Sequence, residues 1–336
     1  MPKAIVIRAN PVPTGPDAPV NRAAVEEISA EQLGEGPVTV EVSHSSLNYK
    51  DAIVLAGDPG IVRSTPLVAG IDLVGTVVES SDARWDAGDK VLVNGAGMSE
   101  NHPGGLSELA KPPVEALIRL PDELSPARAA ALGTAGYTAA LCVLRLQEAG
   151  IVSSAERPIL VTGATGGVGS VATMLLAGLG HEVAALTGRV EDFGDYLSEL
   201  GANQIVDRGE LSAPGRPLQK QSWAGAVDVL GGDVLANVLA QTEYGGTVTA
   251  CGMAASGALP ASIMPFILRS VTLAGIDSVQ APLADREAAW KLLAEQVDLT
   301  ALDVITQTIG LDDTFEMAKK LLAGMSYGRI VVDMNL

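Results

Sequence analysis

A glycine-rich stretch at residues 158–170, PILVTGATGGVGS, most constrains what this chain can fold into. A continuous apolar run leads into it and an amphipathic run over residues 170–179 follows, so the glycines lie where a buried strand passes into a helix. Gly163, Gly166 and Gly169 are spaced three apart. Glycines at such a junction permit a tight turn and let backbone N–H groups approach a pyrophosphate at the helix N-terminus. This context predicts a dinucleotide-binding turn rather than a plain connection between a strand and a helix.

The pattern of predicted secondary structure changes near residue 125. Before it, period-two alternation and frequent glycines predict strands at 3–8, 37–44, 68–80 and 90–94. After it, strands alternate with helices, which predicts a doubly wound parallel sheet of the Rossmann type. The predicted strands of this part are 158–163, 182–187, 204–206, 227–230, 246–252 and 271–276, and a helix is predicted over 125–149. The predicted class is therefore α/β, with a β-rich domain at 1–124 and 277–336 enclosing a cofactor domain at 125–276; helices at 283–296 and 312–322 and a strand at 328–334 complete the first.

The end of the second strand of the α/β part indicates which dinucleotide binds. An NAD site places Asp or Glu there to hold the ribose hydroxyls, whereas this chain has Thr187, Gly188 and Arg189. A guanidinium binds a 2′-phosphate bidentately and a hydroxyl adds a donor. Arg208, just after the third strand, is a second candidate for the phosphate or the adenine face. NADP(H) is therefore the predicted cofactor, the alternative being that Arg189 is a solvated loop charge.

Further cofactor contacts are predicted from the loop, from the start of the long helix, from the ends of later strands and from the C-terminal part. These residues are Thr165, Gly167, Val168, Thr134, Thr138, Val229, Gly252, Ser278 and Arg329. For Thr138, packing of the helix on the sheet is an equally good explanation.

Composition excludes several functional classes. The formal net charge of −18 argues against nucleic acid as a partner, because phosphate backbones require a basic surface. Only two cysteines are present, Cys142 and Cys251, far apart in sequence, which is typical of a reducing compartment. No signal-peptide pattern precedes the first strand, and apolar runs are expected to stay short of the roughly 18 residues that a membrane helix needs. A cytoplasmic protein without a membrane partner is expected.

Several segments together resemble the medium-chain dehydrogenase/reductases, and within them the zinc-free, quinone-oxidoreductase-like branch that includes the acrylyl-CoA reductases. They are SSLNYKD at 45–51, GIDLVG at 70–75, ENHPGG at 100–105, GTAGYTA at 133–139, the glycine-rich loop, WAGAVD at 223–228, MPFILR at 264–269 and GIDS at 275–278. The resemblance covers essentially the whole chain. It implies a GroES-like catalytic domain, a Rossmann cofactor domain and NADPH-dependent reduction of the C=C bond of a short 2-enoyl-CoA, with acrylyl-CoA as the leading substrate.

The resemblance also bears on whether the chain binds zinc. Zinc-dependent members would carry a cysteine near Asn48 or Tyr49 and a His-Glu pair after Gly70, but this chain has Asn-Tyr-Lys-Asp at 48–51 and Ile-Asp at 71–72. No cysteine cluster is available for a structural zinc. We therefore expect no metal.

Without a metal, reduction of an enoyl carbonyl needs hydrogen-bond donors for the enolate oxygen and a proton for the α-carbon. Tyr49 is the predicted catalytic donor and also a predicted cofactor contact; the residues leave open whether it donates, positions the nicotinamide, or is a half-buried aromatic. Asn48 and Asp51 are predicted to organise its loop, Lys50 to contact a phosphate or the enolate, and Asp72 to be a structural acceptor.

Two alternatives stay open: a reductase of quinones or α,β-unsaturated ketones, and a non-catalytic NADPH-binding protein. A homodimer is predicted through the apolar edge strand at 271–276, since such a strand favours pairing.

Overall fold

The computed structural model describes residues 1–10, 19–57 and 60–336. In chain order, the strands of these residues are β1 Lys3–Ala9, β2 Asn21–Glu27, β3 Val38–Ser46, β4 Leu67–Val68, β5 Asp72–Ser80, β6 Lys90–Asn94, β7 Leu109–Ala110, β8 Ile118–Arg119, β9 Ile159–Thr162, β10 Val183–Thr187, β11 Gln204–Asp207, β12 Trp223–Asp228, β13 Thr242–Ala250, β14 Thr272–Gly275, β15 Thr306–Gly310 and β16 Arg329–Asp333. The α-helices are α1 Tyr49–Leu55, α2 Pro126–Glu148, α3 Gly167–Gly178, α4 Val190–Glu199, α5 Gly232–Gln241, α6 Met264–Arg269, α7 Leu283–Gln296, α8 Leu299–Val304 and α9 Thr314–Leu322.

These residues group into two compact units. The first unit comprises Met1–Thr134, Val279–Glu287 and Asp303–Leu336, and the second comprises Ala135–Ser278 and Ala288–Leu302. The predicted domain boundaries, at 1–124 with 277–336 and at 125–276, stay a prediction.

The first unit is β-rich. One sheet has the order β15-β16-β3-β5-β6-β8 with β7 also paired to β3, and a smaller sheet has the order β2-β1-β4. The C-terminal strand β16 pairs antiparallel with β3, and Val331 lies opposite Ser46. Alternation along β3 buries Val38, Val40 and Val42 in an apolar cluster. The predicted return of the last strand to the first part of the chain is confirmed.

The second unit contains one six-stranded sheet with the order β11-β10-β9-β12-β13-β14. Every neighbouring pair in it is parallel. The inner strands β10, β9 and β12 are buried along their whole length, as expected when helices cover both faces. The strand order reverses at β9, so the carboxyl ends of β9 and β12 mark the switch point at which doubly wound sheets bind their ligands. The predicted α/β class, with its Rossmann sheet, is confirmed.

Two predicted elements are interrupted, each at a glycine. The strand predicted over 68–80 breaks between β4 and β5, because Gly70 has φ +105° and a Cβ there would lie 2.4 Å from the backbone nitrogen of Leu106. The helix predicted over 125–149 is kinked at Gly133, whose φ is +49°. Each glycine allows another segment to pack closely against the backbone, which hydrophobic periodicity in the sequence does not reveal. The strand β2 and the short helix α1 were not predicted.

The expectation that no apolar stretch reaches membrane-spanning length was wrong for α2. By length and composition this helix could cross a membrane, but 78% of its most apolar 18-residue window is buried inside the protein. Its apolar composition is thus accounted for by packing, as in the core helix of a globular fold.

Candidate active-site and cofactor-binding residues

A buried polar cluster in the first unit is centred on Asp72, the first residue of β5. Its carboxylate accepts hydrogen bonds from Ser46 Oγ, from Asn48 Nδ2 at 2.8 Å and from Asn94 Nδ2 at 2.7 Å. The backbone nitrogen and hydroxyl of Thr134 donate two more, at 2.9 and 2.6 Å. Because Asp72 is only 1% exposed, these donors replace the water that its charge would otherwise need. Asp72 therefore acts as a structural acceptor, as predicted.

Asp51 lies beside this cluster and fixes the start of α1. Its carboxylate accepts from the backbone nitrogens of Asn48 at 2.9 Å and Ile71 at 3.0 Å, so it ties the helix N-terminus to the segment before β5. Asn48 Nδ2 donates to it as well, at 3.1 Å, and so joins the two carboxylates. Complete burial, and then the negative charge of Asp72, raise the pKa of Asp51 to about 7.

Arg329 reaches the same cluster from β16. Its Nε donates to the carbonyl of Ala131, and Nη2 donates to Asn48 Oδ1 at 3.3 Å. A Cβ at Gly133 would lie 2.7 Å from Ser46 Oγ and 3.0 Å from Arg329 Nη2, so a larger residue would displace these groups. The kink in α2 therefore lets the chain pass close to the cluster. The structure thus brings Asn48, Asp51, Thr134 and Arg329 together, and the cofactor contacts predicted for Thr134 and Arg329 stay predictions.

Tyr49 is the first residue of α1, and its side chain is 50% exposed. Its phenol has no hydrogen-bond partner among the described residues, so the hydroxyl is free to bind a ligand. The ammonium of the neighbouring Lys50 forms an ion pair with Glu100, and its predicted contact with a phosphate or the enolate stays a prediction. The buried cluster beneath α1 holds the backbone of Tyr49 while leaving its ring in solvent.

In the second unit the glycine-rich loop joins β9 to α3, as predicted. Gly163 has φ +58°, and a Cβ there would lie 2.5 Å from Val229 Cγ2. At Gly169 a Cβ would lie 2.4 Å from the carbonyl oxygen of Gly163, so this glycine lets the helix pack on the loop. The N-cap of α3 is Gly166, and no side chain caps it. The backbone N–H groups of the first turn are therefore available to an anion such as a pyrophosphate.

Arg189, after β10, reaches this loop, and Arg208, after β11, lies beside Gly188. Arg189 Nη2 donates to Thr165 Oγ1 at 2.8 Å, and the backbone nitrogen of Arg189 donates to Thr187 Oγ1 at 3.1 Å. A Cβ at Gly188 would lie 2.8 Å from Arg208 Nη2, so the absence of a side chain there makes room for the second arginine. Two positive groups beside an uncapped helix N-terminus fit a phosphate-bearing dinucleotide.

Residues at the carboxyl ends of β9, β12 and β13 surround Val229. The hydroxyl of Thr162 donates to Asp228 Oδ1 at 2.8 Å and accepts from the backbone nitrogen of Val229 at 3.0 Å. A Cβ at Gly252 would lie 2.5 Å from the carbonyl oxygen of Val229. Thr162 and Asp228 thus fix the chain at the predicted contact residue. Sequence reasoning missed both, although a polar residue at the end of each buried strand was a usable signal.

For the remaining predicted cofactor contacts, the structure gives the position of each residue but no role. Thr138 is 5% exposed in α2, so packing accounts for it as well as a ligand would. Ser278 is half-buried at the end of the second unit, Gly167 and Val168 form the first turn of α3, and their roles stay predictions. Among the residues that the structure describes, no group of three or more His, Cys, Asp or Glu side chains is placed to hold a metal ion. The expected absence of metal also stays a prediction.

Comparison with known families decides the relationship. Residues 34–122 match the alcohol dehydrogenase GroES-like domain, and residues 167–295 match the family described as zinc-binding dehydrogenase. The chain belongs to the medium-chain dehydrogenase/reductase superfamily. The family predicted from the sequence segments is therefore confirmed.

Individual relatives cover nearly the whole chain. Acrylyl-CoA reductase AcuI of Ruegeria pomeroyi is 46% identical over 94% of this chain and 95% of its own length. The putative quinone oxidoreductase YhfP of Bacillus subtilis is 41% identical over 92% of this chain and 93% of its own length. The crystal structure of the yhdH oxidoreductase from Salmonella enterica in complex with NADP has a TM-score of 0.93 and 45% identity, with 99% of both chains covered.

Proposed function

We propose that this chain reduces the C=C bond of a short 2-enoyl-CoA, with acrylyl-CoA giving propanoyl-CoA as the leading reaction. At the coarser level it is an NADP-dependent oxidoreductase of its superfamily, and the predicted cofactor NADP(H) is confirmed by the NADP complex of the Salmonella relative. The finer assignment is supported by the 46% identity to AcuI over 94% of the chain.

The observation that carries the proposal is the half-exposed Tyr49 on a rigidly held helix start. Bound NADPH supplies the hydride that the β-carbon of the enoyl group accepts. Negative charge then develops on the carbonyl oxygen of the substrate, and a neutral phenol at a fixed position stabilises it by donating a hydrogen bond. Transfer of a proton from an acid or from water to the α-carbon then completes the saturated acyl-CoA. Asn48 and Asp51 are buried and set the position of Tyr49 through the first turn of α1.

The donor set argues against a metal at this place. Asp72 already accepts five hydrogen bonds on its two carboxylate oxygens, so it has no lone pair left for an ion. Asn48 and Tyr49 provide no thiolate. Polarisation of the substrate carbonyl is therefore assigned to the Tyr49 phenol.

NADPH oxidation with acrylyl-CoA and with a small quinone tests this assignment. We expect turnover with acrylyl-CoA and a fall in kcat of roughly 10- to 100-fold in Tyr49→Phe. Tyr244→Phe is the matched control, because Tyr244 is 71% exposed and lies in the other unit, and its kcat should not change.

A quinone or enone reductase is the second candidate, favoured by the 41% identity to YhfP. Turnover of the quinone alone would overturn the enoyl-CoA assignment. NADPH binding without turnover of either substrate, unaltered in Tyr49→Phe, would instead indicate a non-catalytic NADPH-binding protein.

The predicted homodimer and cytoplasmic location belong to this proposal. β14 lies at an edge of the sheet, and the preceding segment exposes apolar side chains: Ile263 is 65%, Ile267 68% and Leu268 55% exposed. Pairing of two such edges would cover this surface. Sedimentation should show a dimer at micromolar concentration and a monomer for Ile267→Asp/Leu268→Asp, while Val304→Asp, also at an exposed apolar residue, stays dimeric. A monomeric wild-type chain would contradict the dimer.

A further inference from the structure

Arg189 does not stand alone at the end of β10. Its guanidinium carbon lies 4.3 Å from the centroid of the Phe193 ring, over the ring face. Arg189 is the N-cap of α4 and Phe193 is four residues further along, so one helical turn brings the two side chains to the same face. A cation over an aromatic face is attracted by the negative potential of the ring. The ring therefore defines one side of the place where the guanidinium rests.

Phe193 is itself held by a second aromatic residue. The rings of Phe193 and Tyr196 meet edge to face, with centroids 5.8 Å apart and an interplanar angle of 84°. The Tyr196 hydroxyl lies 2.7 Å from Ser170 Oγ, and Ser170 Oγ donates to the carbonyl oxygen of Ala164. Since the serine proton is used in that bond, Tyr196 is the donor to Ser170. A continuous chain of contacts thus joins Arg189 to the glycine-rich loop.

The surroundings of the Arg189 guanidinium explain why contacts that hold it in place are useful. Burial, and with it the charge of Arg208, lowers the pKa of Arg189, while Asp192 and Tyr196 act in the opposite direction. Because burial is the largest of these causes, the guanidinium has lost part of its hydration, and contacts with polar or aromatic groups can replace it. The Phe193 face and Thr165 Oγ1 provide two such contacts before any ligand arrives.

We propose that Phe193 and Tyr196 are positioning residues for the 2′-phosphate of NADP(H). Phe193 holds the Arg189 guanidinium beside Thr165, and Tyr196 anchors Phe193 to Ser170 in α3, so that the preference for NADPH over NADH depends on this aromatic pair. The inference rests on the proposed role of Arg189 as a ligand of the 2′-phosphate.

Direct titration of NADPH and NADH into the full-length protein tests the inference without depending on the identity of the substrate. In Phe193→Leu we expect the Kd for NADPH to rise about 10-fold, since the contact with the ring face is lost, and the Kd for NADH to change less than about 2-fold. Tyr196→Phe keeps the ring and loses only the hydrogen bond, so the rise for NADPH should be about 3-fold. Phe193→Tyr keeps the ring face and should restore the preference for NADPH.

Phe266→Leu is the matched control, because Phe266 is a partly buried aromatic of α6 in the same unit, and both Kd values should stay unchanged. Equal weakening of NADPH and NADH binding in Phe193→Leu would assign the ring a merely structural role and overturn the inference. Should Phe193→Leu fail to fold, unaltered NADPH and NADH binding in Tyr196→Phe would overturn it instead.

Arg189→Met separates this inference from the proposal beneath it. If Arg189→Met leaves the preference for NADPH intact, the role of Arg189 is wrong, and the inference falls with it. If Arg189→Met removes the preference but Phe193→Leu keeps it, only the aromatic support is wrong.

Discussion

The polar cluster around Asp72 and the glycine-rich loop at Gly163 hold charge by opposite means. In the first unit, side chains of β3, β6 and α2 donate to the buried carboxylate of Asp72, Asn48 links it to that of Asp51, and Arg329 of β16 donates to Asn48. In the second unit, one contiguous turn offers backbone N–H groups, and its side chains are mostly absent. The cluster satisfies its carboxyl groups with donors inside the protein, whereas the loop leaves its positive end for a ligand.

The difference determines how each region responds to change. A buried cluster of hydrogen-bonded groups is stable as long as all partners are present, and removal of one acceptor leaves its donors unpaired. A backbone site tolerates side-chain exchange outside the turn but not a Cβ inside it. Substitutions in the cluster should therefore change stability first, and substitutions in the loop should change cofactor binding first.

The largest effect is expected for Asp72→Ala. Five hydrogen bonds lose their acceptor inside the protein, so the free energy of unfolding should fall by at least about 3 kcal/mol. Urea denaturation followed by tryptophan fluorescence measures it. Asp122→Asn, an exposed carboxylate of the same unit, should stay within about 0.5 kcal/mol of the wild type. Equal effects of the two changes would show that the cluster adds nothing to stability.

Gly169→Ala should act mainly on the cofactor. The added Cβ would lie 2.4 Å from the carbonyl oxygen of Gly163, so the loop must move. We expect the free energy of unfolding to fall by about 2 kcal/mol and the Kd for NADPH to rise at least about 10-fold. Gly194→Ala is the control, because a Cβ there meets nothing within 4 Å in α4, and the helix should gain up to about 1 kcal/mol. Unchanged NADPH affinity in Gly169→Ala would contradict the close packing of loop and helix.

Asp51 makes the cluster sensitive to pH. Its folded pKa of about 7 lies above the ordinary value of 3.8, so between these values the folded state holds a proton that the unfolded state has lost. The contribution of Asp51 to stability is therefore full below about pH 4, falls as pH rises to about 7 by up to about 1.4 kcal/mol per pH unit, and is constant above. The difference in unfolding free energy between wild type and Asp51→Asn, measured from pH 5 to pH 8, should show this slope. A flat difference would mean that Asp51 stays ionised.

The smallest effect is expected for the partly exposed ion pair of Lys50 and Glu100. Lys50 and Glu100 are each about a quarter exposed, so water screens their ion pair, and Glu100→Gln should cost less than about 1 kcal/mol. Thermal unfolding at low and high salt checks this, because the loss should shrink as salt rises. A loss as large as that of Asp72→Ala would place the pair inside the buried cluster.

The sequence by itself determined the parts of this protein that depend on neighbouring residues. The strand, turn and helix around Gly163 are contiguous, and hydrophobic periodicity reports burial within one element. The same holds for the cofactor: Thr187, Gly188 and Arg189 follow one strand directly, so their place at the end of β10 could be predicted. The alternation from residue 125 onward likewise predicted the parallel sheet.

Only the tertiary structure decided which distant residues meet. Ser46, Asn94 and Thr134 surround Asp72 because β3, β6 and α2 are packed against β5, and nothing in their local patterns marks them as partners. Gly133 and Gly70 interrupt predicted elements for the same reason, since the close approach that requires each glycine comes from another segment. Hydrogen bonds and close contacts act through space over a few ångströms, whereas sequence patterns report only what is near along the chain. The sequence thus indicated Tyr49 as a candidate residue, but only the fold determined that its phenol is exposed above a buried carboxylate cluster.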